Sequence, residues 1–123
     1  IDFGHWEGRT FVDVQNDAPE LVNRWVANES SFTFPGGDSV AGFHSRVSSV
    51  LQVLEPLGSS HAVLFTHGGV IRSLLCQLLG IPPAQPRIFD VRCGAAAALA
   101  NHHGAYTLCG LNLRRPEDIA WPQ

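Results

Sequence analysis

HAVLFTHGGVIRSLL, from His61 to Leu75, sets a short apolar run ahead of Thr66 and His67, then two glycines, then a second apolar pattern. Ala62 to Thr66 is bounded by polar residues, which predicts a strand buried on both faces of a parallel sheet. GVIRSLLCQLLG, residues 69–80, has helical spacing and stops at Gly80, ahead of Pro82 and Pro83. His67 therefore stands where a strand ends and a helix begins. In open α/β sheets ligands gather at such junctions, because the helix N-terminus presents unbonded N–H groups and a partial positive charge. Gly68 and Gly69 let the backbone approach a ligand closely. An imidazole there either donates to a phosphoryl oxygen as a cation or, when neutral, attacks phosphorus. The competing reading is a histidine that only packs at a strand end.

Outward from this junction the pattern alternates. Residues 1–10 hold two glycines and no sustained period, which predicts a loop leading to a helix near Thr10. In residues 18–28 Leu21, Val22, Trp25 and Val26 share one helical face, with Asp17 placed to cap it. ESSFTFPGGDS, residues 29–39, breaks that pattern and reads as a surface loop near a pocket. Val40, Phe43, Val47, Val50, Leu51 and Leu54 then predict a helix over about 39–55, capped by Asp38 or Ser39 and ended by Pro56. Three short runs, RIFDVR (87–92), AAAALAN (95–101) and AYTLCGLNL (105–113), suit strands, with Gly94 and NHHG as turns. The expected architecture is a three-layer α/β/α sandwich with a mainly parallel sheet.

Composition narrows the function classes. With 123 residues and 45% apolar content the chain is of single-domain size with a real core. A net charge of -3 and no basic cluster beyond Arg114–Arg115 exclude a surface that wraps nucleic acid. All eight basic residues are arginine, so lysine in a phosphate loop, a Schiff base or a general base is excluded. Cys76, Cys93 and Cys109 read as reduced, buried small hydrophobes rather than a disulfide or zinc set. His102 and His103 read as a turn, with no carboxylate at metal-ligand spacing. No run is long enough to cross a bilayer, and the expected location is the cytoplasm. The chain has no methionine and opens on Ile1, so it reads as a fragment of a longer protein.

Three blocks taken together carry a resemblance: VLFTHGGVIRSLL, DFGHWEG and FPGGDSVAGFHSRV. They resemble the second-histidine motif, the segment after the acidic residue, and the proline-glycine loop of the histidine phosphatase (phosphoglycerate mutase-like) superfamily. The FG-x-WEG and PGG-[E/D]-S wording is most similar to its α-ribazole phosphatase group, and broad-specificity phosphatases share it. The resemblance implies a phosphomonoester hydrolase acting through a phosphohistidine, with no metal or nucleotide cofactor. Its nucleophile lies in an Arg-His-Gly motif, and no Arg-His pair occurs in these residues. Its proton-donating glutamate falls one position before Ile1, so neither Glu7 nor Asp2 is that acid. The residues carried over are His67, catalytic as a ligand of the phosphoryl group, and the Gly68 N–H beside it. Residues 1–123 are then expected to be the C-terminal portion of one histidine phosphatase domain that lacks its N-terminal strand or strands. Such a chain should turn over little substrate alone and, with sheet surface exposed, should be poorly stable or self-associate.

Other positions keep two readings. Arg72, one turn beyond His67, is a packed or ion-paired helix residue or a substrate contact, and Arg46 is similar. Ser39 and Asp38 cap a helix or line the pocket, and Trp6 packs or covers the site. The expected ligand is a small phosphorylated metabolite such as α-ribazole 5'-phosphate, with no nucleic-acid or membrane partner. The alternatives are a broad-specificity phosphatase, a phosphoglycerate mutase-like protein, and a non-catalytic phosphate-binding remnant.

Overall fold

A computed structural model describes residues 1–54, 61–82 and 86–119, which fall into two compact units, Ile1–Val53 and Leu54–Gln123. Pro56, expected to end the third helix, lies outside the described residues.

The first unit is built on aromatic packing. Its core is Phe32, Phe34 and Val40, flanked by Phe3, Trp6, Leu21 and Trp25. The alternation Phe32-Thr33-Phe34 sends both rings to one side, and both are 0% exposed, which corrects the expectation of a surface loop there. Phe34 meets Phe3, Trp6 and Phe32 edge to face, at centroid separations of 5.0, 5.3 and 5.0 Å. Each such pair contributes roughly 0.5–1.5 kcal/mol beyond area burial.

Three helices frame this core. Helix α1 (Phe11–Asp17) starts where Thr10 predicts, because Thr10 and Asp13 form a reciprocal capping box. Helix α2 (Pro19–Val26) has proline in its first turn and no side-chain cap. Asp17, expected as that cap, instead ends α1 and pairs with Arg9. Helix α3 (Val40–Leu54) is capped by Ser39, whose hydroxyl accepts the Gly42 N–H at 3.0 Å.

The N-terminal segment lies directly against the 35–38 loop. His5 N–H donates to the Pro35 carbonyl at 2.8 Å, and Asp38 N–H to the Asp2 carbonyl at 2.9 Å. Contact is backbone to backbone, so side chains have no room. A Cβ on Gly4, whose φ is +55°, would lie 2.2 Å from the Pro35 oxygen, and one on Gly37 would lie 2.5 Å from the Asp2 oxygen.

The second unit holds helix α4 (Gly68–Leu78), with Ser73, Leu74, Leu75 and Cys76 buried. Its end is set by Gly80 at φ +67°. The Ile81 N–H reaches the Cys76 carbonyl at 2.8 Å and the Gly80 N–H the Gln77 carbonyl at 3.4 Å, the Schellman arrangement. Strands β1 (Ala96–His102) and β2 (Ala105–Leu113) form an antiparallel hairpin. His103 and Gly104 both have positive φ, 53° and 89°, as a two-residue primed turn requires, so His103 lies in the expected turn whereas His102, expected there too, ends β1 paired with Ala105.

Two expected strands are not formed. Residues 62–66 pair with no strand among the described residues, and Val63, Leu64 and Phe65 are 64%, 45% and 96% exposed. A strand buried on both faces needs neighbours on both edges, and the sheet among the described residues is only the β1–β2 hairpin. RIFDVR is likewise not a strand. It begins in a short 3-10 turn, Pro86–Ile88, and is tied down by a side chain rather than by a ladder. Cys93 and Cys109 are exposed rather than buried, because one lies in the link before β1 and the other points outward from β2. Cys76 is buried as expected, and burial pushes its thiol pKa up. No helix among the described residues is long and apolar enough to cross a membrane.

Candidate functional site

In the second unit His67 occupies the N-cap of α4 in extended conformation, φ −106° and ψ 157°. Its carbonyl accepts the Ile71 N–H at 3.0 Å, while its exposed imidazole makes no capping bond. The first N–H groups of any α-helix lack acceptors within the helix, so those of Gly68 and its neighbours project from this end with the positive pole of the helix dipole. An exposed histidine thus stands at the open end of α4.

Arg72 adds a second positive group at this end. Its Nε donates to the Phe89 carbonyl at 3.2 Å, which folds the side chain back along the helix. A Cβ placed on Gly68 would lie 3.9 Å from both Nη1 and Nη2 of Arg72 and 3.9 Å from Cγ1 of Val91. The guanidinium fork thus lies over the first turn. A cation near a helix N-terminus opposes the dipole, and an anion held between them relieves both. A tetrahedral oxyanion with several acceptor oxygens matches such a set of donors. Arg72 is thus placed beside Gly68, the residue that follows His67, at the start of α4.

Trp6 and Ser39 belong to the first unit. Trp6 packs, with its ring 5.8 Å from that of Trp25 and 5.3 Å from that of Phe34, and it lines a cavity of about 290 Å³ with Phe3, Arg9, Phe11 and Trp25. Ser39 uses its hydroxyl as the α3 cap. Asp38 is the polar hub of this unit. Its Oδ2 accepts from Arg46 Nη2 at 2.7 Å and from the Asp2 N–H at 2.8 Å. The Arg46 guanidinium, followed by the Asp2 N–H, holds the Asp38 carboxyl down at about 2. Arg46 is accordingly ion-paired, and Glu7 accepts the Phe3 N–H at 2.9 Å.

Sequence reasoning did not single out Phe89, Val91 or Asn112, although the first two touch Arg72 and the Gly68 position. Phe89 acts through a backbone carbonyl, which no residue type announces. Asn112 did leave a signal, since an asparagine between two leucines late in a strand runs against β-propensity.

Residues 1–114 match the histidine phosphatase superfamily (branch 1). Phosphoserine phosphatase 1 of Hydrogenobacter thermophilus is 33% identical over 82 residues, covering 66% of this chain and 39% of that protein. Adenosylcobalamin/α-ribazole phosphatase of Salmonella typhimurium is 29% identical over 119 residues, covering 94% of this chain and 59% of the relative. The crystal structure of the α-ribazole phosphatase from Shigella flexneri superposes with a TM-score of 0.79 at 27% identity, over 93% of this chain and 57% of its own. The chain thus spans between 39% and 59% of the length of these relatives. With a match over nearly its whole length and the α/β fold of its solved neighbours, the chain belongs to the histidine phosphatase superfamily, branch 1.

Proposed function

We propose that the protein acts in phosphomonoester hydrolysis, with the N-terminus of α4 as the seat of the phosphoryl group. In this reading the His67 imidazole and the Gly68 N–H bind phosphoryl oxygens, and Arg72 adds a fixed positive charge beside them. The observation that carries it is the folding of the Arg72 guanidinium back over Gly68, held by the Phe89 carbonyl. Donors fixed in advance around the oxygens stabilise the charge spread over them as the phosphorus–oxygen bond breaks.

The covalent step needs a second histidine. Its nitrogen forms a bond to phosphorus as the ester oxygen leaves with a proton from a carboxylic acid, and water then splits the phosphohistidine. The family resemblance assigns both groups to positions outside these residues, and the two units are then the C-terminal portion of one histidine phosphatase domain. α-Ribazole 5'-phosphate is the proposed substrate. Its support is the Salmonella relative, aligned over 94% of the chain, together with the Shigella structure, whereas the phosphoserine phosphatase aligns over 66%.

The test is binding and turnover by the 123-residue chain. Inorganic phosphate should bind saturably, His67→Ala should weaken it about tenfold or more, and α-ribazole 5'-phosphate should compete better than phosphoserine. Phosphate release by the chain alone should be undetectable. Release that His67→Ala abolishes would refute the assignment of the nucleophile elsewhere, and phosphate binding indifferent to His67→Ala would refute the site.

A further inference from the structure

We infer that Asn112 is a positioning residue for Arg72, acting through the 89–92 segment. The inference rests on the reading of His67, Gly68 and Arg72 as the phosphate corner. Asn112 lies in β2 where the β1–β2 register slips, between the pairs Ala96–Leu113 and Ala98–Gly110, and its φ is +59°. A bulge of this kind turns a side chain out of the regular alternation of a strand. Asparagine is among the few residues with a Cβ that enter the left-handed region readily.

The redirected amide reaches out of the hairpin to a segment about twenty residues earlier. Its Oδ1 accepts the Arg92 N–H at 2.9 Å, and its Nδ2 donates to the Asp90 carbonyl at 2.6 Å. One side chain thus does for residues 90–92 what a neighbouring strand would do, bonding the N–H of one residue and the carbonyl two residues before it. The clamped segment is the one that meets α4. Phe89, adjacent to the bonded Asp90, supplies the carbonyl that holds Arg72 Nε, and Val91, between the two bonded residues, stands 3.9 Å from the Cβ position of Gly68.

Neither bond belongs to the β1–β2 ladder, so their loss acts on the 89–92 segment before it acts on the hairpin. The residue type is restricted on both counts. Glycine tolerates the backbone angle but makes neither bond. Aspartate keeps the acceptor for Arg92 N–H but cannot donate to the Asp90 carbonyl.

The experiment is nitrogen-15 NMR on the 123-residue chain and its Asn112→Gly and Asn112→Asp variants, with inorganic phosphate as probe. In Asn112→Gly, solvent exchange of the Arg72 Nε–H should speed up about tenfold and the phosphate Kd should rise about tenfold, with the Leu99–Leu108 cross-strand contact retained. Asn112→Asp should fall between glycine and wild type. Unchanged Arg72 Nε–H exchange in Asn112→Gly would overturn the inference. If the glycine variant loses its hairpin, the aspartate variant decides: a hairpin that persists with faster Nε–H exchange sustains the relay, and unchanged exchange refutes it. Absence of phosphate binding in the wild-type chain would defeat the proposed function instead, while the exchange measurement would still decide the role of Asn112.

Discussion

Gly68→Ala separates folding from ligand binding at a single atom. Gly68 is the first residue of α4, and an added Cβ would meet nothing closer than the ordinary contacts at 3.9 Å with Arg72 and Val91. Glycine loses more backbone freedom on folding than alanine, so the variant should be more stable by about 0.4–1 kcal/mol. For a chain of this size that corresponds to a Tm higher by about 1–6 °C. Binding should move the other way. The methyl group points toward the Arg72 fork, and in the proposed site it would crowd an oxygen bonded to the Gly68 N–H. Loss of a hydrogen bond to a charged group costs about 1.5–3 kcal/mol, a factor of ten or more in phosphate affinity. Thermal unfolding by circular dichroism and calorimetric titration with inorganic phosphate give the two numbers on the same samples. A lowered Tm would mean that Gly68 is required for folding, and an unchanged Kd would remove its N–H from the phosphate site.

Four further outcomes follow from the packing and charge distribution. Phe34→Ala, which empties the centre of the aromatic core, should destabilise the first unit by about 3–5 kcal/mol, read as loss of the Trp6 and Trp25 near-ultraviolet signal under conditions where wild type is folded. Asp38 is held at about 2, below its ordinary value, so its contribution to the folded state is complete above the unfolded carboxyl pKa and disappears as pH falls through about 2. Arg46→Met should move that midpoint upward in a carboxyl NMR titration, and an unmoved midpoint would deny the ion pair its role. In the native chain Cys93 and Cys109 should react with a thiol reagent while Cys76 is protected, and equal labelling of all three would contradict the burial of α4. Phe65→Asp should reduce concentration-dependent self-association in sedimentation velocity; wild-type chain that stays monomeric at high concentration would show that the exposed 62–66 run is not adhesive.

Features with a local cause were legible in the sequence. Helices α3 and α4 follow from apolar spacing with a serine cap at one start and Gly80 at the other end, and the hairpin follows from two apolar runs around His103–Gly104. The position of His67 at the start of α4 was legible for the same reason, since a histidine and glycines at the start of a helix are neighbours in both sequence and space. What escaped depends on distant partners. Ala62 to Thr66 has the composition of a buried strand, but strand formation is decided by what lies beside it. RIFDVR has β-branched and aromatic residues, yet its bonds go to the Asn112 side chain. Phe32 and Phe34 sit among serines, threonine and glycines, and only the arrival of Trp6 and Trp25 makes that stretch a core. Asp17 had a cap-like position, and the nearby Arg9 took its carboxylate.

The closure of the N-terminal segment on the 35–38 loop bears on how tolerance to substitution would be interpreted. Because the backbones of Gly4 and Gly37 each lie within 3 Å of where the other segment would have to admit a methyl group, every amino acid but glycine forces the two segments apart. If His67 binds phosphate as proposed, a saturation-mutagenesis map of this chain would therefore mark Gly4 and Gly37 as severely as His67. The two kinds of intolerance differ in form: a site that binds phosphate fails in function while the protein accumulates normally, whereas these glycines fail in abundance. Scoring cellular protein level beside function is what would separate the steric lock from the chemistry.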